Sequence, residues 1–466
     1  VAADPTGRFC IAFLDGSLVW EPGWTDLAET YPNLVTSYTI DRGRQYELDH
    51  TDVGRAVVQI ADRDGILDPT NPDGPYYTGV QPFKQAAVGR YNPVDDTWYV
   101  RFRGFVETYD YSFDPSQRVN MLTVSLVDLQ ALLSTIELVP GAFGIDTSGT
   151  DQAGQIGYAI QTMQERVEGV LGDAGIPDEF RVTFSGNVEL HATTYSPGET
   201  VMDVVQSAVD GEWPGVGNSF VDRRGRICTH GRYARFDPAA VISSISTDPD
   251  VRTDTWDYHV WHAGDGAAVA AHPASVAQVR AFAFERGVAK LINSALATPQ
   301  GIADDDVAGP PTLVSGTLYQ AGQHVYDTAS IAEYGYRSWS AQNLTTKRGL
   351  VDSSTDLEET ARFSFYYVQN YAYPQNRITT ITFRSLPPGD PRAAHLWALL
   401  SQVDIADKVT VTVGSPGGGG FDTAQFYVEG IHEQVNPLNP VYDDITLSLD
   451  LSPVEYFTTN PFPVPG

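Results

Sequence analysis

The chain is short of sulfur, of positive charge and of long apolar runs, and each shortage excludes something. Its 466 residues include two cysteines and three methionines. Cys10 and Cys228 stand far apart and form no metal-ligand spacing, so neither a disulfide framework nor a zinc module is expected. They read as reduced, structural thiols of a protein folded in cytoplasm. Basic residues number 29 against 59 acidic ones, a formal net charge of −30. Such a surface repels nucleic acid and anionic membrane, which argues against a sequence-specific DNA binder. No stretch approaches the ~20 apolar residues of a membrane span. The opening Val1-Ala2-Ala3-Asp4-Pro5 has no basic segment and no apolar run behind it, so no secretory signal is expected. Gly-x-Ser-x-Gly, phosphate-loop and dinucleotide fingerprints are also missing.

What the sequence does contain is a repeat of itself. Val100-Arg101-Phe102-Arg103-Gly104-Phe105-Val106-Glu107 precedes Leu122-Thr123-Val124-Ser125-Leu126 near one end. Phe426-Tyr427-Val428-Glu429-Gly430-Ile431-His432-Glu433 precedes Ile445-Thr446-Leu447-Ser448-Leu449 near the other. Matching glycines puts Gly104 against Gly430 and Glu107 against Glu433, an offset of 326. Thr123 and Ser125 then meet Thr446 and Ser448 at 323, the offset that also pairs Val57 with Thr380 and Ala86 with Val409. A duplication of this period predicts one β domain used twice.

The length corresponds to about three domains, and strand alternation, turn clusters and helical periodicity divide it. Residues 1–135 are expected to form the first tube-like β domain, with Phe9 to Leu14 turning at Asp15-Gly16 as a hairpin. Residues 136–240 read as an α+β insert. Ile156, Ile160, Met163, Val167 and Val170 recur at helical spacing, and Ser196-Pro197-Gly198-Glu199 reads as a capping box for a second helix. A small hairpin follows around Asp222 to Gly225. Residues 241–353 are of mixed character, with a strand at Trp256 to Trp261 and no assignment for 274–296. Residues 354–466 hold a helix near 356–370, the second β copy with a helix over 391–402, a flexible glycine loop at 417–420 and an extended proline-rich tail. The fold class is thus mainly β with an α+β insert and two β-barrel domains.

Candidate chemistry is thin. Asp62-x-Asp64-Gly65 starts like a calcium loop but lacks the glutamate at position twelve, so a tight turn is expected. His259 and His262 would face opposite sides of a strand with no third ligand nearby, and no metal is expected there. Gly104 and Gly430 inside strands mark bulges or close backbone approach. Glu107 and Glu433 read as polar partners in a tube wall. A glycoside hydrolase needs two carboxylates about 5–10 Å apart in a cleft, and among 59 acids any pair can be nominated. The 24 tyrosines and 8 tryptophans read as core and interface residues before they read as a sugar platform. Arg223, Arg224, Arg226, Arg232 and Arg235 form the one basic cluster. It offers either a phosphate or acidic-partner contact, or a charged hairpin paired with this chain's carboxylates or a neighbouring copy. The second reading fits the acidity better and makes the five arginines subunit-interface candidates.

Several short motifs, in order, resemble the tail-tip hub proteins, or minor tail proteins, of long-tailed phages that infect actinobacteria. They are Asp41 to Asp49, Gly54 to Val58, Asp62 to Pro69 and Phe102 to Glu107, then Phe220 to Arg226, Tyr334 to Arg337, Tyr427 to His432 and Thr446 to Pro453. The resemblance implies a structural virion protein without enzymatic activity or cofactor, assembled in host cytoplasm and placed at the virion tail tip. It implies a homotrimer whose two β domains per chain look sixfold to the tail tube, with a threefold face for fibre or receptor-binding proteins. The implied partners are the distal tube protein and the tape-measure protein, and DNA would pass through the channel without specific binding. An inner wall richer in Asp and Glu than in Lys and Arg would suit that passage. The competing expectation is a carbohydrate-active tail protein, lectin or glycoside hydrolase, that engages the host envelope.

Overall fold

The alternating segments at the two ends of the sequence build one continuous sheet of fourteen strands. A computed structural model describes residues 7–31, 34–114, 119–139, 156–184, 189–236, 257–262, 277–278, 280–299, 311–321, 323–345, 355–375, 377–390, 393–414, 421–436 and 442–458. The N-terminal strands are β1 (Gly7–Ile11), β2 (Thr25–Asp26), β3 (Val35–Gly43), β4 (Asp52–Ala61), β5 (Gln85–Asn92), β6 (Thr97–Asp114) and β7 (Val119–Val127). The others are β8 (Asp257–His262), β9 (Ala277–Gln278), β10 (Ala281–Glu285), β11 (Arg377–Arg384), β12 (Lys408–Gly414), β13 (Phe421–Asn436) and β14 (Asp444–Pro453).

The first copy runs β3-β4-β7-β6-β5-β1 across the sheet, and the second runs β10-β11-β14-β13-β12-β8. The first five strands of each correspond in order and direction. The sixth differs, because β1 is antiparallel to β5 whereas β8 is parallel to β12. Registers fix the residue correspondence. Val57 faces Ser125 as Thr380 faces Asp450, so β4 and β11 are 323 apart while β7 and β14 are 325 apart. The long strands β6 and β13 each carry a bulge, at Glu107 and Glu429, which are 322 apart. Glu107 therefore corresponds to Glu429 and not to Glu433, Gly104 to Phe426, Thr123 to Ser448 and Ser125 to Asp450. The motif matches slid by four and by two residues. An even slip keeps every side chain on its own face, so the alternation that reveals the strands is blind to it.

The inward row, including Val58, Ile60, Leu122, Val124, Ile381, Phe383, Leu447 and Leu449, packs into one apolar core shared by both copies. The outward row is rich in hydroxyls. Thr123 Oγ1 donates to Gln59 Oε1 at 3.0 Å, and Thr382 and Ser448 hydroxyls lie 2.9 Å apart. Among the described residues neither copy closes into the expected barrel. The second half of β13 gives its edge to β3 instead, from Gly430 opposite Gly43 to Val435 opposite Tyr38. The two copies thereby fuse into one open sheet.

Smaller corrections have local causes. Asp15-Gly16 makes no two-residue hairpin, because β1 pairs with β5 and with β2, beyond a loop in which Asp15 accepts the Gly23 N–H. The insert's first helix is Met163–Asp173, while Ile156 lies in a short strand. Thr162 and Glu165 cap it reciprocally, so the apolar period overran the true N-terminus. The next helix, Val201–Asp210, is capped by Thr200 and Asp203 and not by Ser196. The hairpin Asn218–Val221 with Ile227–His230 forms as expected.

Helix Thr355–Tyr371 belongs with the middle region, since Phe363, Tyr366, Tyr367 and Tyr371 pack with Ala295, Ala297, Val325 and Leu344 of a five-stranded sheet. Conversely β8, β9 and β10, placed by sequence in the middle region, join the large sheet. Helix Ala393–Gln402 lies between β11 and β12. The glycine loop at 417–420 and the tail at 461–465 lie outside the described residues.

Gly104 fits a place that no side chain fits. A Cβ there would lie 2.1 Å from the Val127 carbonyl oxygen and 2.9 Å from the Phe102 ring. Gly104→Ala is expected to destabilise the protein by about 1–3 kcal/mol. Gly169→Ala, inside a helix with nothing within 4 Å, is expected to stabilise it by about 0.5–1 kcal/mol. Urea midpoints of the two variants check both signs.

Candidate functional site

The seam between the two copies buries several charged side chains. Arginine is a poor core residue, yet Arg90 and Arg101 are 0% and 1% exposed. Arg90 continues the inward row of β5 after Ala86 and Val88, and Arg101 comes from the adjoining β6. Both reach Glu433, the inward residue of β13: Arg90 through a short bond and Arg101 Nε at 3.2 Å. The same guanidinium groups donate to the C-terminal end of helix Ala393–Gln402. Arg90 reaches the Leu400 carbonyl at 2.5 Å, and Arg101 reaches those of Ser401 and Val403 at 3.0 Å. These carbonyls sit at the negative end of the helix dipole, so two cations from one copy cap a helix of the other.

A second knot forms around Glu429, the bulge residue of β13. The bulge turns its carboxylate into the protein, where Arg44 Nε lies at 2.8 Å and the Arg235 nitrogens at 2.5 and 2.8 Å. Arg44 follows β3, and Arg235 belongs to the insert, so three regions meet on one carboxylate. Burial alone raises the Glu429 carboxyl, but Arg235 and Arg44 together outweigh it and hold it well below the usual carboxylate range. A third clamp joins Asp404 to Arg42 at 2.8 Å and to the Arg223 N–H at 2.9 Å. A fourth joins Glu47 to Arg377 at 2.7 Å and accepts the Tyr371 hydroxyl at 3.0 Å. On the outer face of the seam, His432 bridges Asp41 of β3 at 2.9 Å and Asp450 of β14 at 2.8 Å. Hydrogen bonds to the two carboxylates raise its pKa to about 10.

The candidates from sequence divide accordingly. Glu433 is central. Glu107 is exposed and pairs with Arg55 at 3.0 Å. Gly430 packs against the Arg44 carbonyl, while Thr123, Ser125, Thr446 and Ser448 lie on the outward hydroxyl face. Within the basic cluster Arg226 pairs with Asp222, Arg232 with Glu212 and Arg235 with Glu429. These three arginines are buried within their own chain, which removes them from a subunit contact. Arg224 borders a cleft, described below.

Asp62 is a turn residue, accepting the Ile66 and Leu67 N–H groups at 2.8 and 3.0 Å. His259 and His262 lie on β8 opposite Thr410 and Val413, and their side chains lie outside the described residues. Among the described residues no three His, Cys, Asp or Glu side chains are grouped to hold a metal ion. No helix among them is long and apolar enough to cross a membrane.

One ligand-sized cleft, about 720 Å³, opens beside β1 and β5 and is lined by Trp20, Trp24, Trp98, Arg8, Arg103 and Arg224 among others. Its aromatic faces are partly taken. Arg8 stacks over Trp98 at 4.0 Å and Arg103 over Trp20 at 4.5 Å, which leaves less ring surface for a sugar.

No protein-family model and no curated protein matches the chain. Solved structures do. The tail protein of Neisseria meningitidis MC58 is 12% identical and aligns over 98% of this chain and 99% of its own, with a TM-score of 0.52. The 43 kDa tail protein of prophage MuSo2 from Shewanella oneidensis is 12% identical over 97% and 99%, with a TM-score of 0.48. An E. coli component of the type VI secretion system is 10% identical over 90% and 73%, with a TM-score of 0.38. The likeness to the Neisseria protein establishes that this chain shares the fold of that tail protein over essentially its whole length.

Glu429→Gln leaves two buried guanidinium groups facing a neutral amide and is expected to cost about 3–5 kcal/mol. Glu107→Gln, at the corresponding bulge but in solvent, is expected to cost less than about 1 kcal/mol. Denaturation of the two variants compares them directly. His432 binds its proton more tightly folded than unfolded, so its contribution is complete below its ordinary pKa near 6.5 and fades as the pH rises through about 10. The melting-temperature gap between wild type and His432→Gln should therefore be widest near pH 6 and narrow toward pH 10.

Proposed function

We propose that this chain is the structural hub at the tip of a long-tailed phage tail. The observation that carries this reading is the rigid fusion of two copies of one β unit in a single sheet. Three chains so built offer six like units to a sixfold tube and retain threefold symmetry below it. The hub would sit between the distal tube protein and the receptor-binding or fibre proteins. It would hold the end of the tape-measure protein and open for DNA on host contact. Its work is mechanical, with no cofactor and no bond-breaking step. Its place is the virion, after assembly in the host cytoplasm.

The outward hydroxyl face suits a channel wall. On β3, β4, β7, β11 and β14 it presents Thr39, Gln59, Thr123, Ser125, Thr380, Thr382, Thr446 and Ser448. The outward arginines of these strands are both engaged: Arg55 by Glu107 at 3.0 Å and Arg384 by Asp444 at 2.8 Å. Such a wall offers DNA phosphates little to hold, because grip on the backbone scales with available cations. In this reading neutral hydroxyls, together with carboxylates such as Asp41 and Asp450, would keep the wall from gripping DNA.

Purified chain, sized by light scattering and mixed with its distal tube protein, is expected to form a three-copy ring that caps tubes. It should leave host cell-wall polysaccharide intact. A monomer that depolymerises polysaccharide would overturn the hub reading in favour of the carbohydrate-active one, with the tryptophan cleft as its first suspect.

A further inference from the structure

Helix Thr355–Tyr371 covers one face of the five-stranded sheet, and no second layer covers the other among the described residues. The strands run Thr312–Ser315, Leu318–Ala321, His324–Asp327, Ser294–Pro299 and Ser338–Leu344 across that sheet. Ala295, Ala297 and Val325 pack with the helix. The period of two then sends Ser294, Leu296, His324 and Tyr326 to the opposite side. Pairing lines up two rows there. The first is Leu313, Tyr319, Tyr326, Ser294 and Ser338; the second is Ala321, His324, Leu296 and Ser340.

Neither row holds a charged residue. Across all five strands Asp327 is the one Asp, Glu, Lys or Arg, and it is buried, capping helix Thr328–Tyr334. A chain that is 19% charged would otherwise place several there. His324 keeps to the pattern, since burial lowers its pKa from the ordinary 6.5 and leaves it neutral near pH 7. In place of charge the face carries rings and hydroxyls. Tyr319 and Tyr326 have ring planes 12° apart and centroids 5.7 Å apart, and the His324 ring lies 5.2 Å from Tyr326. Ser294 Oγ donates to the Tyr336 hydroxyl at 2.9 Å and lies 2.7 Å from His324 Nε2. Tyr336, 61% exposed, is thereby oriented and keeps its own proton to donate outward.

We propose that this face binds a neutral glycan of the host envelope, one patch per chain. A sugar ring presents C–H groups on its flat side and hydroxyls around its rim. It therefore needs aromatic surface interleaved with small donors and acceptors, fixed in place before it arrives. The two rows supply this, with serines at 294, 338 and 340 set among the rings. A protein partner is the poorer fit, because protein hot spots favour tryptophan and arginine anchors over serine. An anionic polymer is also disfavoured, since the patch offers it no cation and the chain around it carries a net charge of −30. The gain from three patches acting together rests on the hub reading; the patch itself does not.

Wild type, Tyr336→Ala and Tyr326→Ala are passed over an array of neutral glucans, galactans and arabinans beside glycans that bear uronate or phosphate. Wild type is expected to be retained by neutral members and not by anionic ones, with little change when salt is raised. Each substitution should cut retention about tenfold, the worth of one aromatic contact. Tyr336 is exposed, so its removal leaves the core untouched, and Tyr111→Ala, at an exposed tyrosine of the large sheet, should change nothing. A wild type that no neutral glycan retains would overturn the inference, as would retention that survives both substitutions. Variants that keep the glycan but lose the distal tube protein would overturn it in favour of a protein contact. Retention by a chain that forms no three-copy ring would count against the hub reading and leave the glycan face standing. A ring-forming chain without retention does the reverse.

Discussion

Two carboxylates on one strand hold the two halves of this molecule at a fixed angle. Glu433 and Glu429 both lie on β13, and each binds guanidinium groups from outside its own copy. Moving such ions out of water is costly, and an apolar seam of equal volume would often be at least as stable. What a guanidinium adds is direction, because its planar fork fits a carboxylate and nearby carbonyls in few orientations. Arg101 illustrates this: one group addresses Glu433 and the carbonyls of Ser401 and Val403 together, so rotating the copies breaks all three contacts at once. Burial lowers its pKa to about 10, partly offset by Glu433, which still leaves it charged near neutral pH.

Much of the fold was legible because its strands alternate. The duplicated strand order could be read from segments such as Leu122 to Leu126 and Ile445 to Leu449, since a period of two with buried Leu, Val and Ile is a strong signal. Their register was not legible, because a slip of two or four residues changes no face. The bulges carry the missing information. A bulge adds one residue to one strand, and the glutamates at 107 and 429 mark it, but Glu433 stands four residues on and looks the same in sequence. Cooperation between the copies was also hidden. Nothing in Tyr38–Gly43 or Gly430–Val435 names the strand each will pair with, so two barrels and one fused open sheet read alike.

The buried charges had a signature that alternation does reveal. Arg90 falls in step with Ala86 and Val88, and Glu433 falls between Ile431 and Val435, all on the inward face. A charged residue in an apolar register demands a partner, and two such residues of opposite sign on duplicated strands point to each other. The arginine cluster misled for a related reason. Clustering along the chain says nothing of burial, and Arg232 and Arg235 lie beneath the surface beside Glu212 and Glu429.

A fixed angle matters most where units repeat. In the proposed ring each chain contributes two units already joined by the β13–β3 ladder, and angular error at that joint accumulates around the circle. Ladders alone tolerate variable twist, since neighbouring strands range over roughly 10–35°. The within-chain joint has buried ion pairs beneath its ladder, at Glu433 and Glu429. In the proposed ring, that stiffness would leave the joints between chains to absorb any misfit. Duplication within one chain is what allows the two kinds of joint to differ.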